Sequence, residues 1–314
     1  MHTVTANNSR TIKGLSLLSL LELDGDVIHD LLQEAEALKK APVETSLSGK
    51  TLAMIFEKSS TRTRVSFEAG MLQLGGHALF LSSRDLQLGR GESIEDTAKV
   101  LSAYADAILI RTFEHKKAEE LAFHSNVPVI NGLTDQFHPC QALADLLTIK
   151  ELKGTFKGKK AAYMGDGNNV AHSLMIACAK MGMDFALASP EGYGADEAII
   201  KNAQKTACHS GAKLVFTNSP EEAAAEADII YSDVWTSMGQ EEEVLNRLKA
   251  FEGFQVNEAL MKNAKPDAHF LHCLPAHRGE EVTAAVIDGP NSAVFQQAEN
   301  RLHVQKALLK MILA

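Results

Sequence analysis

Cysteine is scarce: the 314 residues hold four, Cys140, Cys178, Cys208 and Cys273, with no Cys-x-x-Cys pair among them. That spacing speaks against a disulfide framework or a zinc knuckle and predicts a reducing compartment, the cytoplasm. Long apolar runs are missing as well. None approaches the ~20 residues that span a bilayer, and the polar stretch 1–13 predicts no secretory signal. Positive charge is in deficit, with 31 Lys and Arg against 40 Asp and Glu and a net charge of −9. Nucleic acids and anionic membranes need a broad basic surface, so neither is expected as a partner. An acidic chain that handles an anion must gather its few arginines at one place.

What is present is a repeated pairing of a short β-rich run with a longer amphipathic run, in a chain about twice a typical domain. Strands are predicted at 51–56, 77–81, 107–110 and 127–130, then at 160–164, 184–188, 213–217, 228–231 and 269–272. Helices are predicted at 27–40, 66–74, 93–104, 116–124, 170–181, 195–210 and 242–251. The fold class expected is α/β: two doubly wound parallel-sheet domains with the active site in the cleft between them. The boundary falls on a helix at 139–152 that ends in the turn-like stretch 154–158, giving domains 1–150 and 151–290. Segment 291–314 follows the breaker Asp288-Gly289-Pro290 and has helical periodicity at Val294, Leu302, Leu308 and Ile312. It is expected to pack back on the first domain. Open α/β sheets bind ligands beyond the carboxyl ends of their strands, and each motif below follows a strand.

The run Ser59-Ser60-Thr61-Arg62-Thr63-Arg64 lies between a strand and a helix. Hydroxyls and free amides at a helix N-terminus, with arginine beside them, suit a phosphate; the plainer reading is an N-cap with two solvated arginines. Arg111, at the next strand end, converges on the same region or is a surface cation. His138 and Gln141 sit one helical turn apart at a helix opening. The run Gly165-Asp166-Gly167-Asn168-Asn169-Val170 has valine where a dinucleotide fingerprint needs its third glycine. It reads instead as a strand-to-helix turn that faces Asn169 to the cleft. Asp233 is either a turn residue or the anion for a cationic ligand. His269, His272 and Cys273 could suggest a metal, but strand alternation separates His272 from Cys273 and no third ligand of suitable spacing is evident, so no metal and no cofactor are expected.

Four of these runs occur in the order found in the aspartate and ornithine carbamoyltransferase family: Ser60-Thr61-Arg62-Thr63, His138-Pro139-Cys140-Gln141, Asp233-Val234-Trp235-Thr236-Ser237-Met238-Gly239 and His272-Cys273-Leu274-Pro275. The chain resembles that family over essentially its whole length. The resemblance implies transfer of a carbamoyl group from carbamoyl phosphate to the side-chain amine of L-ornithine. By the same resemblance Ser60, Thr61, Arg62 and Thr63 hold the phosphate, with Arg301 returning from the terminal helix as a further contact. Arg111, His138 and Gln141 donate to the carbamoyl group, Leu274 accepts from its amide through the backbone carbonyl, and Cys273 touches the reacting amine. Gln87 reaches a neighbouring subunit's site, which implies a homotrimer or a multiple of trimers. Asn169, Asp233, Ser237 and Met238 receive ornithine, Asp233 meeting its α-ammonium. The Ser237-Met238-Gly239 segment is similar to that of members using ornithine rather than aspartate, putrescine or acylated ornithine.

Other readings are a carbamoyltransferase for putrescine or acylated ornithine, a nicotinamide-dependent dehydrogenase resting on the Gly-x-Gly run, and a non-catalytic paralogue. The last would show a decayed anion loop or a lost Arg111 or Cys273, and all are intact.

Overall fold

The computed structural model describes residues 11–82, 86–87, 91–236 and 241–314. The first half runs α1 (Gly25–Lys40), β1 (Thr51–Phe56), α2 (Thr61–Gln73), β2 (His77–Ser82), α3 (Ile94–Tyr104), β3 (Ala107–Arg111), α4 (His115–His124), β4 (Val129–Leu133) and α5 (Pro139–Lys153). The second runs β5 (Lys160–Met164), α6 (Asn169–Met181), β6 (Asp184–Ala188), α7 (Glu197–Ser210), β7 (Leu214–Thr217), α8 (Pro220–Ala224), β8 (Ile229–Ser232), α9 (Val244–Ala250), α10 (Glu258–Met261), β9 (His269–His272), α11 (Ala284–Ile287) and α12 (Val294–Leu313). Both sheets are parallel, in the orders β2-β1-β3-β4 and β7-β6-β5-β8-β9. This is the expected α/β class with two doubly wound sheets.

Central strands of such sheets are covered on both faces and read as continuous apolar runs. β1, Thr-Leu-Ala-Met-Ile-Phe, is buried from its second residue onward. α5 is buried from Pro139 to Ile149, because it lies between the two sheets. One apolar cluster joins Met54 and Leu109 of the first sheet, Leu143 of α5, Tyr163 and Leu174 of the second half, and Leu308 of α12. α12 packs on α1, α2 and α5, all elements of the first half, and also touches β9.

In each sheet the strand order reverses beside the first strand, between β1 and β3 and between β5 and β8. Those are the switch points where crevices open. One helix start departs from expectation. α2 begins at Thr61, not at 66, because the Ser60 side chain accepts from the Thr63 amide and caps it there. Residues 61–64 therefore form the helix's first turn, where backbone N–H groups lack intrahelical partners.

Candidate active site

Between the two switch points lies a cavity of about 520 Å³. Ser60, Thr61 and Arg62 line it from the capped start of α2, Arg111 from the end of β3, His138 from the start of α5 and Arg301 from α12. Facing them are Asn169 at the start of α6, Asp233 after β8, and Cys273 and Leu274 after β9. Thr63 is fully buried behind this wall and accepts from Arg301 Nη2 at 2.8 Å. Gln141 is buried one turn beyond His138 and does not line the cavity. Gln87 is exposed and does not line it either. Ser237 and Met238 lie outside the described residues.

The arginines are held in place but short of partners. Arg111 is 8 % exposed and Arg301 3 %, and the Nε of each has no hydrogen-bond partner among the described residues. Burial, with Arg301 and Arg62 nearby, pulls the Arg111 guanidinium down to about 9. Burial and the charges of Arg301, Arg111 and Arg62 hold His138 well below the usual imidazole range. His138 is therefore neutral at pH 7, and its buried Nδ1 has no partner among the described residues. Concentrated positive charge, unspent donors and a helix N-terminus together make a site for a multiply charged anion.

Arg62 Nη2 donates to the Leu274 carbonyl at 2.5 Å, so the α2 start and the loop after β9 meet directly. Leu274 has φ +57, a left-handed conformation costly for a branched side chain. Its neighbours sustain it: the Leu274 amide donates to His272 Nδ1 at 2.9 Å, and His272 Nε2 lies 3.2 Å from Glu281 Oε1. With Nδ1 accepting, the ring proton sits on Nε2 and faces the carboxylate.

Opposite, Asp233 is already satisfied. It accepts from Asn168 Nδ2 at 3.0 Å, from the Val234 amide at 2.8 Å and from Cys273 Sγ at 3.0 Å. Burial and the Asp233 carboxylate push the Cys273 thiol well above its usual range, which leaves it a neutral donor rather than a nucleophile. Asn169, which lines the cavity, donates its side-chain amide to the Thr134 carbonyl.

One expectation needs correction. His272 and Cys273 do not diverge, because β9 ends at His272; Asp233, His272 and Cys273 each offer a ligand atom within 4.8 Å of the others. A third donor is thus present, although both His272 nitrogens, the thiol and the carboxylate are engaged in the bonds just described. Gln141 is oriented by a neighbour: its Nε2 gives one N–H to Asp145 Oδ1 at 2.9 Å, and its Oε1 is buried with no partner among the described residues.

The Gly-x-Gly turn has its own explanation. A Cβ on Gly167 would stand 2.2 Å from the Ala195 nitrogen, so that glycine admits the chain's own loop where a pyrophosphate would otherwise approach. Sequence reasoning missed Asn168, which caps α6 through Oδ1 and holds Asp233 through Nδ2. The signal was there in the paired asparagines. It also missed Asp145 and Gln297, whose importance comes from packing between distant elements.

A family model described as "Aspartate/ornithine carbamoyltransferase, carbamoyl-P binding domain" matches residues 16–151, and one described as "Aspartate/ornithine carbamoyltransferase, Asp/Orn binding domain" matches 157–312. The chain is 66% identical over 313 residues to the ornithine carbamoyltransferase of Bacillus subtilis, covering 100% of this chain and 97% of that relative. It is 63% identical to that of Anoxybacillus flavithermus, covering 96% and 98%. Among solved structures, the ornithine carbamoyltransferase of Pyrococcus furiosus superposes with a TM-score of 0.93 at 56% identity, covering 96% of this chain and 98% of that one.

Proposed function

The chain belongs to the aspartate/ornithine carbamoyltransferase family, and we propose that it transfers the carbamoyl group of carbamoyl phosphate to the side-chain amine of L-ornithine, giving L-citrulline and phosphate in arginine metabolism. One observation carries the assignment of parts. Arg62, Arg111 and Arg301 converge with the α2 cap on one wall of the cavity while the carboxylate of Asp233 faces it from the other. In this reading residues 1–150 with 291–314 form the carbamoyl phosphate half and residues 151–290 the ornithine half.

Ser60, Thr61, Arg62, Thr63 and Arg301 hold the phosphate. Arg111 and neutral His138 donate to the carbonyl oxygen as it gains negative charge, the place where preorganised donors matter most. Gln141 Oε1 and the Leu274 carbonyl accept from the carbamoyl NH₂. Asp233 receives the α-ammonium of ornithine, with Asn169, Ser237 and Met238 completing that subsite. The amine nitrogen forms a bond to the carbonyl carbon, the carbon–oxygen bond to phosphate breaks, and the amine proton has to leave. His138, surrounded by three guanidiniums, is a poor base. The departing phosphate oxygen is the better acceptor.

A cytoplasmic homotrimer, with Gln87 serving a neighbour's site, completes the reading. Exposed Val65 and Leu72 on α2 and exposed Leu79 on the edge strand β2 support a subunit interface on that side. Among the described residues no helix is long and apolar enough to cross a membrane. Colorimetric detection of citrulline from carbamoyl phosphate and ornithine tests the reaction; product from putrescine or acylated ornithine at equal rate would count against the acceptor. Mixing inactive Gln87→Ala and Arg111→Ala subunits tests the assembly. Regained activity is expected, since a hybrid can hold a site with both residues intact.

A further inference from the structure

We propose that Asp145 is a positioning residue that fixes which face of the Gln141 amide meets the donor substrate, and so lets the site distinguish a carbamoyl from an acyl group. The inference rests on the carbamoyl-transfer reading and deepens it. His138, Gln141 and Asp145 follow one another at helical spacing along α5, on one face. Asp145 is fully buried, and its Oδ1 accepts from Gln141 Nε2 at 2.9 Å, from Gln297 Nε2 at 2.6 Å and from Tyr231 Oη at 3.4 Å. Its Oδ2 has no partner among the described residues. An oxygen that can only accept forces the amide to present NH₂ inward. The Gln141 acceptor is thereby turned away from Asp145, buried and without a donor.

The same carboxylate reaches the second acceptor by a different route. Gln297 gives its NH₂ to Asp145, so its Oε1 faces β9, where it accepts from the His272 amide at 2.9 Å. His272 Nδ1 in turn accepts from the Leu274 amide, which anchors the start of that residue, while its carbonyl accepts from Arg62 Nη2. Asp145 thus orients Gln141 Oε1 directly and braces the loop that carries the Leu274 carbonyl through α12 and β9. A carbamoyl NH₂ offers them two N–H bonds. An acetyl methyl offers none and would leave the buried Gln141 acceptor unpaired, which is how a site rejects an isostere strongly. Burial pushes the Asp145 carboxyl up to about 7; a proton taken up on free Oδ2 would leave the Oδ1 acceptor intact.

The test compares wild type, Asp145→Ala, Gln141→Ala, the double variant and Asp145→Asn. For each, kcat/KM for carbamoyl phosphate, the inhibition constant of acetyl phosphate and Tm are measured. Each alanine variant should lose about ten- to a hundredfold in kcat/KM for carbamoyl phosphate, with acetyl phosphate changed by less than about threefold. The double variant should be no worse than the more damaged single one, because both act through one contact. Asp145→Asn keeps an acceptor at Oδ1 and should stay within about tenfold of wild type. Multiplicative losses in the double variant, or equal losses for carbamoyl and acetyl phosphate, would overturn the proposal. Should Asp145→Ala not fold, Asp145→Asn decides: retained discrimination between the two phosphates supports it, and lost discrimination in a folded protein overturns it. A wild type that forms no citrulline sinks the underlying reaction before any variant is compared.

Discussion

On the wall built by α2, β3, α5 and α12, Arg111 Nε, Arg301 Nε and His138 Nδ1 are buried without partners among the described residues, whereas on the facing wall Asp233 accepts from Asn168, Cys273 and the Val234 amide. The first wall is assembled around something not yet supplied. Its like charges repel, and an anion both pairs the donors and relieves the repulsion. The second wall is complete in itself and has to exchange a bond to take a ligand. Residues 237–240 lie outside the described set. The anion-binding half is therefore ready before its substrate arrives, and the cation-binding half becomes ready only with it.

The strongest way to break this contrast is through Asp233. Asp233→Asn keeps much of the shape and removes the charge, so ornithine affinity should fall by roughly 2–5 kcal/mol. Carbamoyl phosphate affinity should hardly move. Titration calorimetry with each substrate reads both, and equal losses would mean that Asp233 serves the whole cavity rather than one wall.

Within the first wall, Arg62 and Arg111 should separate. Arg62 lies in the first turn of α2; if phosphate is held there alike in ground and transition states, as proposed, Arg62→Ala should weaken inorganic phosphate strongly. With Arg111 assigned to the carbonyl oxygen, where charge grows during attack, Arg111→Ala should lower turnover on the order of a hundredfold with a smaller change in phosphate affinity. Unchanged phosphate binding in Arg62→Ala would remove the anion loop from the reading.

Much of this wall was legible in the sequence. The residues at the strand ends, 59–62, 111, 138, 233 and 273, are brought together, because βα alternation itself delivers strand ends to one crevice. Strand limits were recovered within a residue or two, as at His77–Ser82, since a covered parallel strand is bounded by turn residues, except that β4 runs to Leu133 and not to 130. The helices Pro220–Ala224, Glu258–Met261 and Ala284–Ile287 were not foreseen: four or five residues are too few to show a period. The polar wiring was invisible for another reason. Asp145 and Gln297 are 152 positions apart and meet only when α12 lies on α5. The direction of the Gln141 amide followed from that meeting and not from its own motif.

A smaller effect comes from ligands alone. Inorganic phosphate at a hundred times its Kd should raise stability by about 2.7 kcal/mol, visible as a rise in Tm. Ornithine at millimolar concentration without phosphate should give a shift less than half as large, because Asp233 must first surrender a partner. Equal shifts would erase the distinction between the walls.

The smallest effect lies behind both walls, in the pH dependence of stability at Asp145. Burial raises its carboxyl to about 7 from an ordinary 3.8. Between those values the folded chain holds a proton that the unfolded chain has released, so stability falls as pH rises from about 4 to about 7, and the whole cost is present above that. His138 acts in the opposite sense. Its folded value is lowered, so the unfolded chain binds the extra proton, and stability rises as pH climbs through the ordinary imidazole range. A Tm profile of the wild type mixes the two. Subtracting it from the profile of Asp145→Asn cancels His138 and leaves the carboxyl alone. The difference, variant minus wild type, should move in favour of the variant by a few degrees between pH 5 and pH 8. A flat difference would mean that Asp145 titrates in its ordinary range, and that the buried junction between the two walls is better hydrated than its geometry indicates.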